Sequence, residues 1–456
     1  MEGNVENEIN NLLLALGNKY QSIQQYTDAI YCYKKILKSL KENSPQIYYL
    51  YYQIATNYFK NEKYDKALDY YNKLINTQNI SSSDLQSMIA SCYVNLKDYE
   101  NALRVLHNLN ILEKNNRNVY KMLGEIYYYL KKYDVSIKYY SKSEDKYALS
   151  PALLSIKDFK KGFEFYEDRL NSNDLCHQTG LPLRQNINLP KWDGKKECNK
   201  LLIVYEQGIG DNIMYFRFLI ELAKKNPEME ITYFCKNIVS HILKTDCKNV
   251  LITHDTSRFN IPSFDYKCFI MSLPYILKKE KIEVNTINYI NYDSKISEYW
   301  NKKLKSDKPK IGLFYKGLLK SSIDKIIKMK YLKKVFELDV EIICLHKKEE
   351  IKEDMTFFSD NVKIFDIDTD KAFVDTIGIL QNIDLLITID SGIVHLAGVM
   401  NIPTFLLLGY VSEWRWFNNN EKVWYDSVDI YHENKNINIL EDSEKIIKDI
   451  SKKLKI

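Results

Sequence analysis

Glycine is scarce in this sequence, 14 in 456 residues, and against that background the pair in Gly208-Ile209-Gly210 stands out. The eight cysteines form no Cys-x-x-Cys motif, and no histidine spacing completes a zinc ligand set. They read as reduced, mostly buried thiols of a cytosolic protein, with no metal site expected. No uncharged apolar run reaches about 18 residues, so no membrane span is expected. The first residues, MEGNVENEINN, are polar and acidic, which argues against a signal peptide. No block of one charge exists either. Lys plus Arg number 65 against 60 for Asp plus Glu, a net charge of +5, with the lysines scattered. That balance neither demands nor excludes nucleic acid, and no nucleic-acid partner is expected. The abundant Lys, Asn, Ile and Tyr fit an AT-rich coding bias and are not read as function. The length exceeds one ordinary core and implies two or three domains.

What the N-terminal third does contain is a repeat. Gly17, Ala55, Ala90 and Gly124 stand 38, 35 and 34 positions apart. Each is followed three residues later by a tyrosine (Tyr20, Tyr58, Tyr93, Tyr127). A small residue comes next (Ala29, Ala67, Ala102, Ser136), then a large one (Tyr33, Tyr71, Leu106, Tyr140). Small residues let antiparallel helices approach closely, and large ones fill the remaining space. The period is close to about 34 residues, and the pattern resembles tetratricopeptide repeats. About four repeats are expected over residues 1–145. A capping helical hairpin follows over 146–175, where Gly162 and Tyr166 keep the spacing. Such a stack offers a concave surface for a protein or glycan partner; the alternative is a spacer or a dimerisation arm, so a homodimer stays open. The tyrosine stripe is read as packing.

A linker over 176–198, with Pro182, Pro190 and Trp192-Asp193-Gly194, precedes alternating apolar runs and helical stretches. LLIVY (201–205), EITYFC (230–235), VLIT (250–253) and YKCFIMS (266–272) read as strands of a first series. KIGLFY (310–315), EIICLH (341–346), VKIFDI (362–367), DLLITID (384–390) and PTFLLLG (403–409) read as a second. Two such series predict two doubly wound lobes, over 199–305 and 306–456. Ligands of these sheets sit at strand carboxyl ends, in loops that open helices.

Two loops take that position. In the first, the third place of a Gly-x-Gly-x-x-Gly fingerprint is Ile213, and Asp211 would repel a pyrophosphate on the helix N-terminus. The dinucleotide reading, and with it an NAD-dependent oxidoreductase, is therefore poor. The glycines are read as bringing the backbone, with Gln207 and Asn212, close to a substrate. Asp211 is either a helix cap or a general base. In the second, Asp390-Ser391-Gly392 places backbone N–H groups at a helix start, an anion cradle, with His395 in the first turn. His395 is read equally as a donor and as a packed core residue. After the first strand of the second lobe, Lys316-Gly317 puts a point charge within reach of a diphosphate. Trp414, Arg415 and Trp416 either stack on a base or sugar or pack the lobe.

Taken together, YEQGIGDNIMYFRFL and DLLITIDSGIVHLAGVMNIPTFLLLGYVSEWRWF resemble the glycosyltransferase family 9, or heptosyltransferase-like, domain. The likeness is greatest to the version that follows tetratricopeptide repeats. Pro190-Lys191-Trp192-Asp193-Gly194, Tyr166-Glu167-Asp168-Arg169, Trp414-Arg415-Trp416 and Trp424-Tyr425 match further segments of it. The resemblance implies an α + α/β chain: a tetratricopeptide helical solenoid, then a two-lobed GT-B (double Rossmann-like) domain without bound metal. It implies transfer of a sugar from a nucleotide-diphosphate sugar to a protein or glycan acceptor, with no other cofactor. Asp211 would be the base. Gln207, Gly208, Gly210 and Asn212 would line the acceptor side. Lys316, Gly317, Asp390, Ser391, Gly392 and His395 would meet the donor. Relatives carry Trp-x-Gly-Asn and a basic-Ser-Ile stretch where this chain has Phe314-Tyr315-Lys316-Gly317, leaving Lys316 and Lys328 as alternative phosphate contacts. The other reading is a tetratricopeptide scaffold with a degenerate transferase domain.

Overall fold

The computed structural model describes residues 2–41, 44–78, 82–171, 187–285, 287–317, 327, 329–369, 372–417, 421–433 and 439–456. Lys328 and much of the expected linker lie outside them. The chain forms two compact units, Met1–Leu149 and Ser150–Ile456.

The first unit is a run of helical hairpins: α1 (Glu2–Ser22) with α2 (Tyr26–Ser39), α3 (Gln46–Lys60) with α4 (Tyr64–Gln78), α5 (Ser83–Asn95) with α6 (Tyr99–Leu112), and α7 (Arg117–Tyr129) with α8 (Tyr133–Ser143). The repeat positions explain the pairing. A methyl group on Gly17 would lie 2.8 Å from the Tyr33 ring, and one on Gly124 2.7 Å from that of Tyr140, so only glycine lets these helices close. Each hairpin turns through one non-glycine left-handed residue: Gln24, Glu62, Lys97 or Lys131, at φ of 63°, 59°, 61° and 58°. The next N–H then reaches back to the carbonyl of Tyr20, Tyr58, Tyr93 or Tyr127, the helix-ending bond that satisfies an orphan carbonyl. The repeat tyrosines thus mark helix ends as well as packing, and turns that manage without glycine help explain its scarcity.

Helix α9 (Lys146–Ser155) runs from the end of the first unit into the second and makes a further hairpin with α10 (Phe159–Tyr166). The side chains of Phe159, Phe163 and Tyr166 are buried in this unit's own core. Two parallel sheets follow. The first contains β1 (Lys200–Val204), β2 (Glu230–Phe234), β3 (Val250–Thr253) and β4 (Tyr266–Phe269), in the order β3-β2-β1-β4. The second contains β5 (Lys310–Phe314), β6 (Glu341–Cys344), β7 (Val362–Ile364), β8 (Leu385–Thr388), β9 (Thr404–Leu408) and β10 (Val428–His432), in the order β10-β9-β8-β5-β6-β7. Strands such as β1 and β8 are continuous apolar runs because both faces are covered. The covering helices include α11 (Ile209–Lys225), α12 (Asn237–Ile242), α13 (Leu273–Ile276), α14 (Ser294–Lys303), α15 (Met329–Phe336), α16 (Val374–Leu380), α17 (Gly392–Val399) and α18 (Ile439–Leu454). This is the double Rossmann-like arrangement expected of a GT-B domain.

Two features differ from the sequence reading. The segment around Trp192 is no free linker: Trp192 N donates to Lys267 O and Lys267 N to Pro190 O, so it borders β4. Gly194 turns it at φ 74°, where a side chain would also meet Ile276. Strand β10 was not expected; its buried Val428 and Ile430 alternate with half-exposed residues, a weak pattern beside the solid runs. Both sheets reverse strand order beside their first strand, between β1 and β4 and between β5 and β8. Ligands of open α/β sheets sit at such points. The loops after β1, β5 and β8 all open there.

Candidate active site

The loop after β1 is held from below. Glu206 and Arg169 form a bidentate ion pair, Nε to Oε2 at 3.1 Å and Nη2 to Oε1 at 2.7 Å. Their side chains are 1% and 0% exposed. Arg169 also donates to Glu167 and Ser272, and Glu206 accepts the Met271 N–H. Charges so buried are tolerated only when paired and fully bonded. Gln207 then takes a left-handed turn at φ 59° and donates to the Tyr166 hydroxyl at 2.7 Å. Gly208 caps α11, and its N–H donates to Asp211 Oδ2 at 3.1 Å. Asn212 is fully buried: it donates to the carbonyls of Glu206 and Gly208 and accepts the Tyr233 hydroxyl at 2.6 Å. It fixes the loop and offers nothing to an acceptor.

Asp211 therefore takes the cap position, and its second oxygen is engaged by an arginine. One oxygen closes the start of α11. The other accepts Nη1 of Arg415 at 2.7 Å, with the two side chains 14% and 13% exposed. Burial works against the Arg415 charge, but Asp211, Glu413 and Asp390 outweigh it and hold the guanidinium pKa well above its ordinary value. The buried hydroxyls of Tyr205 and Tyr215 feel this pair: both phenols are pushed up chiefly by burial, with Asp211 adding to the rise.

The second loop comes directly against the first. A methyl group on Gly210 would lie 2.9 Å from His395 Cδ2 and 3.1 Å from Gly392 Cα. Ser391 caps α17 through its backbone only, and its Oγ is buried without a hydrogen-bond partner among the described residues. His395 is 1% exposed, stacks on Trp416 at 5.4 Å between ring centroids, and pairs through Nδ1 with the Tyr425 hydroxyl at 3.1 Å. Its placement is that of a packed core residue. Trp414, Trp416 and Trp424 are buried as well, so they pack the lobe. Asp390 and Gly392 remain part-exposed at the helix start.

The loop after β5 is self-contained. Lys316 Nζ lies 2.5 Å from Asp354 Oδ2, which also accepts the Tyr315 hydroxyl at 2.6 Å. His346 Nε2 accepts the Tyr315 N–H, so Nδ1 carries the proton of the neutral ring, 3.5 Å from Glu350. Burial, then the Lys316 charge, lowers its pKa to about 3. Gly317 is part-exposed. No cluster of metal-ligating side chains exists among the described residues.

The site thus brings the first turn of α11, with Gly208, Gly210 and Asp211, to the start of α17, with Asp390, Ser391 and Gly392. Sequence reasoning missed the Arg415 partnership and the Arg169–Glu206 pair. The only signals for them were the tryptophans flanking Arg415 and the Tyr-Glu-Asp-Arg segment. In the first unit a groove of about 430 Å³ lies between α1 and α3, lined by Asn18, Gln21, Gln24, Tyr49, Gln53 and Lys60 among others. No helix among the described residues is long and apolar enough to cross a membrane.

Comparison with known proteins divides along the chain's composition. A family model described as anaphase-promoting complex, cyclosome, subunit 3 matches residues 22–108, within the hairpin repeats. Protein FlbA of Caulobacter vibrioides is 23% identical over 337 residues, covering 67% of this chain and 55% of that protein, so the chain spans about half the length of this relative. Among solved structures, MamA aligns with a TM-score of 0.30 at 19% identity over 37% of this chain and 97% of that one. The glycosyl transferase family 9 protein of Veillonella parvula gives 0.38 at 14%, over 56% and 89%. The ADP-heptose lps heptosyltransferase II of E. coli gives 0.39 at 11%, over 56% and 98%.

Proposed function

We propose that the chain is a metal-independent glycosyltransferase that moves a sugar from a nucleotide-diphosphate sugar to a hydroxyl of a protein or glycan acceptor recruited by the helical repeats. The observation that carries this reading is the apposition of Gly210 and Gly392. It brings the first turn of α11, which carries Asp211, to the start of α17 beside the reversal points of two doubly wound sheets. In the reaction Asp211 takes the proton of the acceptor hydroxyl. The hydroxyl oxygen bonds to the sugar's anomeric carbon, and the bond from that carbon to the diphosphate breaks, its electron pair leaving with the phosphate. The N–H groups of Ser391 and Gly392 and a basic side chain meet the charge that develops.

The test is a thermal-shift screen with UDP-, GDP- and ADP-sugars, in which a ligand at 100 times its Kd raises stability by about 2.7 kcal/mol. It is followed by transfer assays of Asp211→Asn. The amide keeps an oxygen for the Gly208 N–H while removing the base, so turnover falls about 100-fold or more in a folded protein. Full turnover of this variant refutes the assignment. A second reading, a repeat scaffold with a degenerate transferase domain, draws on Asp211 and Lys316 both being engaged by neighbours. A screen without any nucleotide-dependent shift favours it.

A further inference from the structure

We propose that Arg415 is the cation that meets the leaving diphosphate, and that it does so while still holding Asp211, so that one guanidinium links the acceptor's base to the donor's leaving group. The inference rests on the glycosyltransferase reading above. Lys316, one of the two cations offered by the sequence, is closely paired with Asp354 at 2.5 Å, and that carboxylate also binds Tyr315. Arg415 is placed differently. Its Nη1 is on Asp211, while its Nε is buried without a hydrogen-bond partner among the described residues. A planar guanidinium has five N–H donors and bridges two oxyanions readily. Asp390, directly before Ser391 and Gly392 at the start of α17, is among the carboxylates that raise the Arg415 pKa after Asp211 and Glu413, and the Ser391 Oγ is likewise buried and unpartnered. A buried donor left unsatisfied is costly, and a phosphoryl oxygen that reaches the Arg415 Nε–H supplies its missing acceptor. The neighbours set the position: Trp424 Nε1 donates to the Arg415 carbonyl at 2.8 Å.

The charges balance in one step. At rest Asp211 neutralises Arg415. As Asp211 accepts the acceptor's proton it becomes neutral, and the diphosphate gains one negative charge as the bond to the anomeric carbon breaks. The guanidinium's counter-charge passes from carboxylate to phosphate without any ion entering or leaving.

The experiment uses the full chain with Arg415→Gln and Arg415→Lys. Calorimetry measures binding of UDP, GDP and ADP against UMP, GMP and AMP, and steady-state kinetics separate kcat from KM with whichever nucleotide sugar the wild type turns over. For Arg415→Gln, diphosphate affinity falls about tenfold, monophosphate affinity stays within about twofold, and kcat falls about 100-fold or more. Arg415→Lys restores the preference for diphosphate and part of kcat. Unchanged kcat and diphosphate binding in Arg415→Gln, with Asp211→Asn inactive, overturn the role of Arg415 and leave the glycosyltransferase reading intact. Should Arg415→Gln fail to fold, full kcat in a folded Arg415→Lys overturns the bridging role, and a loss of about tenfold at unchanged Tm supports it. If wild type binds none of the nucleotides, the reading of function fails and this inference with it.

Discussion

Glu206→Gln tests whether the first loop hangs on its buried ion pair. The substitution preserves shape but turns an acceptor oxygen into an NH2 group facing the Arg169 guanidinium. Arg169 then keeps only Glu167 as a counter-charge, and that side chain is 25% exposed. Removing one partner of a buried pair costs about 3–5 kcal/mol. The retained Glu167 contact at 2.7 Å places the loss near the lower figure, about 3 kcal/mol. For a unit of this size that is a Tm drop of roughly 5 °C. Intrinsic tryptophan fluorescence is the natural assay, because Trp192, Trp300, Trp414, Trp416 and Trp424 all lie in the second unit and report on it alone. Urea midpoints at low and high salt sharpen the result, since a buried pair is screened little. Glu230→Gln is the control: it breaks the Lys200–Glu230 pair, whose side chains are 44% and 68% exposed, and shifts stability by less than about 1 kcal/mol. A Glu206→Gln loss no larger than that of the control refutes the argument. So does a double variant, Arg169→Met with Glu206→Leu, that is no more stable than Glu206→Gln.

Two further outcomes follow from the same unit. Gly210→Ala gains helix propensity, yet its methyl group would stand 2.9 Å from His395 and 3.1 Å from the Gly392 backbone. The net is a loss of about 1–3 kcal/mol with transfer impaired, and a variant more stable than wild type, with full transfer, shows that the loops do not touch. His346 is held neutral with its pKa lowered to about 3 by burial first and Lys316 second. The unfolded chain therefore binds the extra proton between about pH 6.5 and 3, and stability falls on acidification through that window, by about 2 kcal/mol from pH 7 to pH 5 for this one group. His346→Gln, which keeps an acceptor for the Tyr315 N–H, flattens that part of the urea-midpoint profile; an unchanged slope removes His346 as its source.

The fold was legible wherever one element could bury its surface without knowing its neighbours. Strands such as Leu201–Val204 and Leu385–Thr388 are unbroken apolar runs, and the repeat glycines announce their tyrosines at a fixed spacing. The loop positions followed from those strands. What each side chain in a loop does depended on rotation and on distant chain. Asp211 and Asn212 are adjacent, but one helical step turns successive side chains by roughly 100°, so the first meets Arg415 and the second is buried against Tyr233. His395 has the right sequence neighbours for a phosphate ligand, but the Trp416 ring covers it, and Trp416 comes from the segment after β9. The partner of Asp211 lies 204 positions away, and nothing local in either segment encodes the pairing. Short motifs therefore located two loops that meet at Gly210 and Gly392, while the Asp211–Arg415 pair joins segments that meet only in the fold. Lys316 is one of the two lysines that sequence position offers to the diphosphate, with Lys328 outside the described residues, whereas Arg415 is placed by packing. Lys316 and Arg415 make opposite demands on a neutralising substitution. Loss of Arg415 exposes Asp211 as an unpaired carboxylate inside the proposed site, whereas loss of Lys316 leaves Asp354 with its Tyr315 hydrogen bond and the Gly210–Gly392 contact untouched.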